Sequence, residues 1–483
     1  MTDALIITAT ILWAFAMTVQ LLTMALGWMS IRSMKRSQSL LTLRAAIVSS
    51  AGTRAPLLTA LLPAHNEQAG ILNAVEALLA SRYPNVEVLV VDDGSTDETL
   101  QILVEAYELS PLPPPIELSG LDLPDQVRLP HARVWAIWRN PNDPRLTVIQ
   151  KESAGTKADA LNAGINLAAG RILYAGDADG IPEPDALLLT AATLITSDQN
   201  VIAAGGSVLP INSCTVIAGA VTRTRVPKNM VERIQLLEYL RSFLMSRPAL
   251  SDMAALPLIS GAFGVFWTDM IRQVGGFTSG SFGEDIDLTV RLATTQFHQV
   301  HTANVAQVPS AVVWTEVPES MTVLRRQRER WAKGLTQVLF GQRRVLFRRK
   351  YGHVGTVGLP WMGISEWIAP IAEFLGSAVI LAIVIAGILP PIWLLAVVAA
   401  MVLLASMNSF VAIWAEEHFF YYFGGKREGW RLAAAVLAEQ FGYHQRASWW
   451  KLKGGFGRRT TWGAMPRQGL ASPSGREDNN SSE

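Results

Sequence analysis

Four short clusters in the 483-residue chain combine the residue types that move a charged leaving group. The first is Asp92-Asp93-Gly94-Ser95-Thr96-Asp97, which closes a β-rich run from Glu87 to Val91. Carboxylates at a strand end can accept hydrogen bonds from a ribose or a base. Asp, Gly and Ser are also ordinary turn and helix-cap residues, so alone this cluster reads either way. The second is Asp177-Ala178-Asp179, at the end of another apolar run. In an extended chain residues i and i+2 share a face, and two carboxylates so spaced can hold Mg²⁺ or Mn²⁺ against a diphosphate. Turns contain Asp-x-Asp as well. The third, Gly283-Glu284-Asp285, opens a helical stretch through Asp287 and Arg291. A carboxylate there can act as a general base, or simply complement the helix dipole. The fourth is Gln327-Arg328-Glu329-Arg330-Trp331, within residues 321–350, which hold ten Lys or Arg against one Glu. Much of that run reads as an amphipathic helix on anionic lipid. Arg330 and Trp331 stand apart, because Arg forks onto phosphate oxygens and an indole face stacks on a sugar ring.

The elements that must position these clusters alternate between residues 56 and 320. Leu57–Leu62 is an apolar run ending at Pro63, and Gly70–Ala80 has helical spacing. Glu87–Val91, Leu146–Gln150 and Arg171–Ala175 repeat the strand pattern. Strand, loop, helix, strand in this order predicts an α/β domain with a mostly parallel sheet. Ligands of such sheets bind beyond the carboxyl ends of the strands, where the acidic clusters fall. Pro111 to about Pro144 is rich in Pro and charge and reads as an inserted loop of no assigned role.

Composition sets the surroundings. Half of the residues are hydrophobic (50%) and only 17% are charged, more apolar than an ordinary soluble domain. A net charge of +1 argues against a bulk nucleic-acid binder. Cys214 is the only cysteine, which excludes an intramolecular disulfide or a cysteine zinc cluster. Ala4 to Ile31 is almost unbroken apolar sequence, long enough to cross a bilayer with some tilt. A signal peptide is shorter and carries its positive charge in front. Here Asp3 precedes the run and Arg32, Lys35, Arg36 and Arg44 follow it, which predicts the N-terminus outside and residue 32 onward in the cytosol. A second apolar block, about Val357 to Trp414, is split by Pro390-Pro391 into expected crossings at Ile368–Leu389 and Trp393–Trp414. Pro360 and Pro370 mark the preceding stretch as interfacial or broken, and Lys426, Arg427 and Arg431 return the chain to the cytosol. Leu432–Trp450 carries Glu439, Gln440, His444 and Arg446, which are costly in lipid, so a helix lying at the interface or re-entrant against it is expected.

The resulting division is a transmembrane helix over 1–31, a linker over 32–55, and a catalytic domain over 56–320. Basic interfacial helices over 321–356, two crossings over 357–414, an interfacial or re-entrant segment with a gating loop over 415–469, and a disordered tail over 470–483 follow.

Taken together and in this order, the clusters resemble the processive family 2 glycosyltransferases, which include cellulose, hyaluronan and poly-N-acetylglucosamine synthases. The match covers about residues 56–335. Pro63-Ala64-His65-Asn66-Glu67 looks like the family's Pro-x-x-Asn-Glu nucleotide loop. Asp92 and Asp93 match its Asp-Asp-Gly motif, which contacts the uridine. Lys157 matches the lysine of its Gly-Lys-Ala-x-Ala-Leu-Asn loop, with Thr156 inserted between Gly155 and Lys157. Asp177 and Asp179 match the Asp-x-Asp metal motif, and Ser260-Gly261-Ala262-Phe263 resembles the floor of the acceptor site. Glu284-Asp285 matches Thr-Glu-Asp with Gly283 in place of Thr, and Gln327, Arg330 and Trp331 match Gln-x-x-Arg-Trp. The C-terminal Trp449-Trp450-Lys451-Leu452-Lys453 and Trp462-Gly463-Ala464-Met465-Pro466-Arg467 resemble the end of bacterial poly-β-1,6-N-acetylglucosamine synthases.

The resemblance implies a GT-A type domain and an inverting, metal-dependent transfer from a UDP-sugar, UDP-N-acetylglucosamine or UDP-glucose, to the non-reducing end of a β-linked glycan. It implies Asp285 as base beside Glu284, a metal on Asp179 with Asp177 near the nucleotide, Arg330 on the diphosphate, and Trp331 holding the acceptor. It also implies the lipid bilayer of a bacterial inner membrane as the setting, with the product threading outward through this chain alone or with a membrane partner subunit. Trp462 and Arg467 read either as a loop closing over the nucleotide or, with Lys451, Lys453, Arg458 and Arg459, as a surface anchor. Two readings compete: a non-processive glycolipid transferase, which would make single additions, and a catalytically dead scaffold, which the intact acidic positions argue against.

Overall fold

The computed structural model describes residues 2–113 and 128–457. Trp462 and Arg467 lie outside the described residues. The chain opens with one helix, α1 (Thr2–Ser50). There follow β1 (Leu58–Ala64), α2 (Ile71–Leu79), β2 (Val86–Asp93), α3 (Thr99–Ala106), β3 (Ser110–Pro111), β4 (Val134–Arg139), β5 (Leu146–Lys151), α4 (Lys157–Leu167) and β6 (Ile172–Gly176). Next come β7 (Ile181–Pro182), α5 (Ala186–Thr196), β8 (Val201–Pro210), β9 (Thr215–Ile217), β10 (Ala220–Arg223), α6 (Met230–Leu240), α7 (Arg247–Asp252), β11 (Phe263–Trp267), α8 (Thr268–Gln273), α9 (Glu284–Val300) and β12 (Asn304–Thr315). The C-terminal third is helical: α10 (Met321–Gly341), α11 (Leu359–Met362), α12 (Ala369–Ile385), α13 (Pro391–Phe419), α14 (Lys426–Ala438) and α15 (His444–Phe456).

Ten strands form one mixed sheet in the order β3-β4-β5-β2-β1-β6-β11-β8-β12-β7. Its core, β5-β2-β1-β6, is parallel. These strands read as near-continuous apolar runs because helices cover both of their faces. Leu58, Leu62 and Val90 point to the layer holding α2 and α5, whereas Leu61, Val91 and Ile149 point to the layer holding α4 and α9. The Pro111–Pro144 stretch, expected as a structureless insert, contributes β3 and β4 to the sheet edge in antiparallel pairing. β11 also runs antiparallel, between β6 and β8.

Among the described residues three helices are long and apolar enough to cross a membrane: Ala4–Ser50, Val354–Ile385 and Pro391–Phe419. The first does not stop at the predicted linker. Its polar half continues as helix because it packs on the catalytic domain, with buried Val48 joining the core of the sheet. Around Pro360 and Pro370 the chain is not broken either; it passes through π-turns at Val354–Gly358 and Gly363–Ile368. Such turns re-satisfy the backbone groups that proline frees. Leu432–Trp450 is split at Phe441 and Gly442, whose backbone is non-helical. The flanking α14 and α15 have 13 residues each, short of the roughly 20 a crossing needs.

Helix α10 is held on two sides by glycine contacts. A Cβ at Gly334 would lie 2.5 Å from the Phe282 carbonyl oxygen, and one at Gly283 would lie 3.0 Å from the Gly334 backbone. On the other side a Cβ at Gly454 of α15 would lie 2.3 Å from the Glu329 carbonyl oxygen. Backbone meets backbone at both places, so neither neighbour can give way. Gly454→Ala is therefore expected to force α15 off α10 and destabilise the protein by about 1–3 kcal/mol, the usual cost of overpacking. Thermal unfolding of the detergent-purified variant measures this, and an unchanged transition would contradict the contact.

Candidate active site

A cavity of about 2330 Å³ runs along the carboxyl ends of the sheet and on between the apolar helices. Pro63, Asn66, Glu67, Asp93, Lys157, Asp177, Asp179, Ser260, Gly261, Glu284, Asp285, Gln327, Arg330 and Trp331 all line it. Fourteen separate sequence expectations therefore meet in one space. Asp92 does not. It is buried behind the strand end, where its carboxylate accepts the Ser95 N–H at 3.1 Å and shapes the turn.

The loops after β1 and β2 are laced together. The Asn66 carboxamide oxygen accepts the backbone N–H of Thr96 at 2.8 Å and of Asp97 at 3.3 Å. Asn66 itself has φ +59°, a conformation asparagine tolerates better than most residues. His65 Nδ1 lies 2.8 Å from the Asp93 carbonyl oxygen. Below them Lys151, the last residue of β5, is fully buried. Its ammonium pairs with the Asp93 carboxylate and, at 2.7 Å, with Asp159 on α4. Sequence reasoning missed this pair of contacts. Lys151 ends a strand like many surface lysines, and its partners are 58 residues upstream and one helix downstream.

Lys157 begins α4, and its ammonium pairs with Asp177 and donates to the Gly261 carbonyl at 2.9 Å. Gly261 N–H in turn donates to Asp285 Oδ2 at 3.0 Å, and Ile286 N–H to Asp285 Oδ1 at 2.8 Å. Glu284 and Asp285 occupy the first turn of α9, where the helix dipole favours negative charge. Burial nonetheless pushes both carboxyls above the usual carboxylate range, and for Glu284 the charge of Asp285 adds to it. Burial opposes the charge on Lys157, but Asp177 and Glu284 outweigh it and hold the ammonium above its ordinary value. Asp179 accepts a hydrogen bond from Thr315 Oγ1 at 3.2 Å.

On α10, Gln327 is buried and Trp331 keeps 43% of its surface exposed to the cavity and solvent. Arg328, a position between the motif residues, is buried and pairs with Glu238 of α6, and its guanidinium sits 4.2 Å from the centre of the Trp331 ring. Tyr443, at the break before α15, donates to Glu238 at 2.8 Å. The indole is thus fixed from behind by an ion pair that no motif spacing reveals.

Among the described residues no group of three or more His, Cys, Asp or Glu side chains could hold a metal. Asp177 and Asp179 do fit an ion that takes its other ligands from phosphate oxygens and water, which is how Mg²⁺ is usually bound.

A parallel-cored sheet with acidic strand ends over a single large cavity defines a GT-A type glycosyltransferase. The family models agree: "Glycosyl transferase family 2" matches residues 59–118 and "Glycosyltransferase like family 2" residues 129–334. The chain belongs to the family 2 glycosyltransferases. It is 25% identical over 281 residues to a probable glycosyltransferase, YdaM, of Bacillus subtilis, covering 58% of this chain and 55% of that one. To a poly-β-1,6-N-acetyl-D-glucosamine synthase of Staphylococcus epidermidis it is 24% identical over 282 residues, covering 58% and 54%. The chain thus spans about half the length of the curated relatives it matches. Among solved structures the mannosyltransferase PcManGT of Pyrobaculum calidifontis, in complex with GDP-Man and Mn²⁺, is similar in fold. Its TM-score is 0.53 at 19% identity, over 89% of this chain and 99% of that one.

Two outcomes are expected from these contacts. Lys151→Met leaves Asp93 and Asp159 buried without their cation and should cost about 3–5 kcal/mol of stability, read by denaturant unfolding. Asp285→Asn should abolish sugar transfer while UDP binding, followed by calorimetry, persists. Because burial raises the Asp285 pKa, the wild-type rate should fall on acidification at a pH above the ordinary aspartate range. A rate that stays flat down to pH about 4 would contradict Asp285 as the titrating base.

Proposed function

We propose that this chain moves a sugar from a UDP-sugar onto the non-reducing end of a growing β-linked polysaccharide, by inverting displacement at a membrane surface. One observation carries the reading. A single cavity is lined by Asp177, Asp179, Asp285 and Trp331 and also by Ala16 and Gln20 of α1, Glu373 of α12 and Asn408 of α13. Donor, acceptor and exit into the membrane helices share that space.

In this reading Asp285 takes the proton from the acceptor hydroxyl. The new bond to the anomeric carbon forms as the bond to the diphosphate oxygen breaks on the opposite face. Gly261 and Ile286 hold the Asp285 carboxylate still through their N–H groups. Lys157 and Arg330 place positive charge where the diphosphate gathers negative charge. Asp177 and Asp179 would hold Mg²⁺ or Mn²⁺, which supplies further charge neutralisation at the diphosphate. Trp331 gives the terminal acceptor sugar a stacking face. Glu284 shares the first turn of α9 and keeps the site acidic around the base. The nucleotide loops at Pro63, Asn66, Glu67 and Asp93 enclose the uridine, with Asp92 shaping the turn behind them, and Gln327 and Ser260 border the acceptor. The catalytic domain faces the cytosol, with the N-terminus of α1 outside. Similarity to a poly-β-1,6-N-acetyl-D-glucosamine synthase favours N-acetylglucosamine as the transferred sugar.

Membranes containing the protein, incubated with a panel of UDP-sugars, should yield a ladder or high polymer from one donor. EDTA should stop the reaction and Mg²⁺ or Mn²⁺ should restore it, whereas Asp179→Ala stays inactive with metal added. A single added sugar would favour the glycolipid reading, and full activity in EDTA would reject the metal site.

A further inference from the structure

Arg247 has no place in the motifs above, yet it lines the same cavity as Asp285 and Trp331. It begins α7 immediately after a π-turn, Arg241–Ser246, which interrupts the helix running on from α6. π-turns of this kind re-aim the side chains that follow them and occur often at functional sites. The backbone on both sides of Arg247 is pinned. Ser30 of α1 donates to the Met245 carbonyl at 3.1 Å and accepts the Ala249 N–H at 3.1 Å. The Phe243 ring lies under the guanidinium, 4.1 Å away.

The guanidinium so placed is unmatched. Nη1 is buried without a hydrogen-bond partner. The carboxylates whose charge reaches it are Asp285 and Glu366. Both are engaged elsewhere, Asp285 with the Gly261 and Ile286 N–H groups and Glu366 with Lys451 at 2.9 Å. Burial accordingly lowers the Arg247 pKa to about 10. A buried arginine nitrogen with nothing to donate to is costly, and native proteins retain such a group where a ligand completes it.

We infer that Arg247 is an acceptor-binding residue, whose guanidinium donates hydrogen bonds to hydroxyl, ring or amide-carbonyl oxygens of the glycan sugar beside Asp285. The donor side of the cavity already has its cation in Lys157, which pairs with Asp177. Arg247 instead lines the cavity with the proposed base and with Glu366, which sits in the Gly363–Ile368 turn of the helix spanning Val354–Ile385. That is the side toward which the cavity continues among the apolar helices. The inference rests on Asp285 marking the point of attack.

The test uses full-length protein in detergent or membranes, a β-1,6-linked N-acetylglucosamine oligosaccharide as acceptor, and the UDP-sugar that supports transfer as donor. Arg247→Met should raise the acceptor KM about tenfold to a hundredfold, the range for losing hydrogen bonds to a charged group. The donor KM and the UDP Kd should stay unchanged, which also reports that the variant is folded. Arg247→Lys, which keeps the charge without the fork, should recover part of the loss. An unchanged acceptor KM in Arg247→Met overturns the inference. So does a rise confined to the donor KM or UDP Kd, which would assign Arg247 to the diphosphate. Failure of the wild-type protein to bind UDP would overturn the UDP-sugar reading of the proposed function, and this inference with it.

Discussion

The site is organised around one relay of contacts: Asp177 to the Lys157 ammonium, Lys157 to the Gly261 carbonyl, and Gly261 N–H to Asp285. Asp177, Glu284 and Asp285 line one cavity, and the charge of Asp285 adds to the burial that disfavours ionisation of Glu284. Lys157 is the cation that lets them coexist. Because it reaches Asp177 and a backbone carbonyl at once, it also sets the distance between the end of β6 and the start of α9. Those two element ends carry the proposed metal-side and base-side carboxylates. The extra Thr156 before Lys157 does not disturb this, since α4 begins at Lys157 itself and the ammonium still reaches β6.

The second constraint is the fixing of α10. The helix meets the base loop at Gly334 and Gly283 and meets α15 at Gly454, both through backbone contact. Glycine at 283, where related motifs carry threonine, is thereby accounted for, since a side chain there would press on Gly334. Arg328 adds a buried pair with Glu238 and lies against the Trp331 ring. Pairs of this kind add little net stability but cost much when broken, so they favour a single geometry over a looser one. Trp331 and Asp285 are consequently held by the same packed unit.

What the sequence discloses and what it hides divide along physical lines. Strand ends rich in Asp were legible because a near-continuous apolar run stops where a polar loop must begin, as at Asp92 and Asp177. The apolar helices were legible because no other environment tolerates such runs. The buried cations were not. Lys151 and Arg328 look like solvated basic residues in a line of text, and their meaning comes from partners such as Glu238, 90 residues from Arg328. The length of α1 was hidden for a related reason. Its charged half reads as a linker after a membrane span, but packing against the sheet supplies the burial that keeps it helical. The edge strands β3 and β4 were masked by prolines and charges, which edge positions accommodate and central strands do not.

The membrane helices and the catalytic domain share more than a boundary. Polar side chains are expensive in lipid and face a protein interior or a water-filled space instead. Asn408 of α13 donates to Gln20 of α1 at 3.2 Å, and His444 of α15 lies 2.9 Å from Glu373 of α12. All four line the cavity that also holds Asp285. Outward-facing positions of the long helices are apolar, among them the exposed Ile11, Leu381 and Leu403. An apolar cavity wall would strip water from a sugar without replacing its hydrogen bonds. A wall studded with amides and paired charges exchanges hydrogen bonds with hydroxyl groups at little net cost. The long apolar helices therefore present to the cavity a polar surface able to exchange hydrogen bonds with hydroxyl groups, while their exposed faces stay apolar.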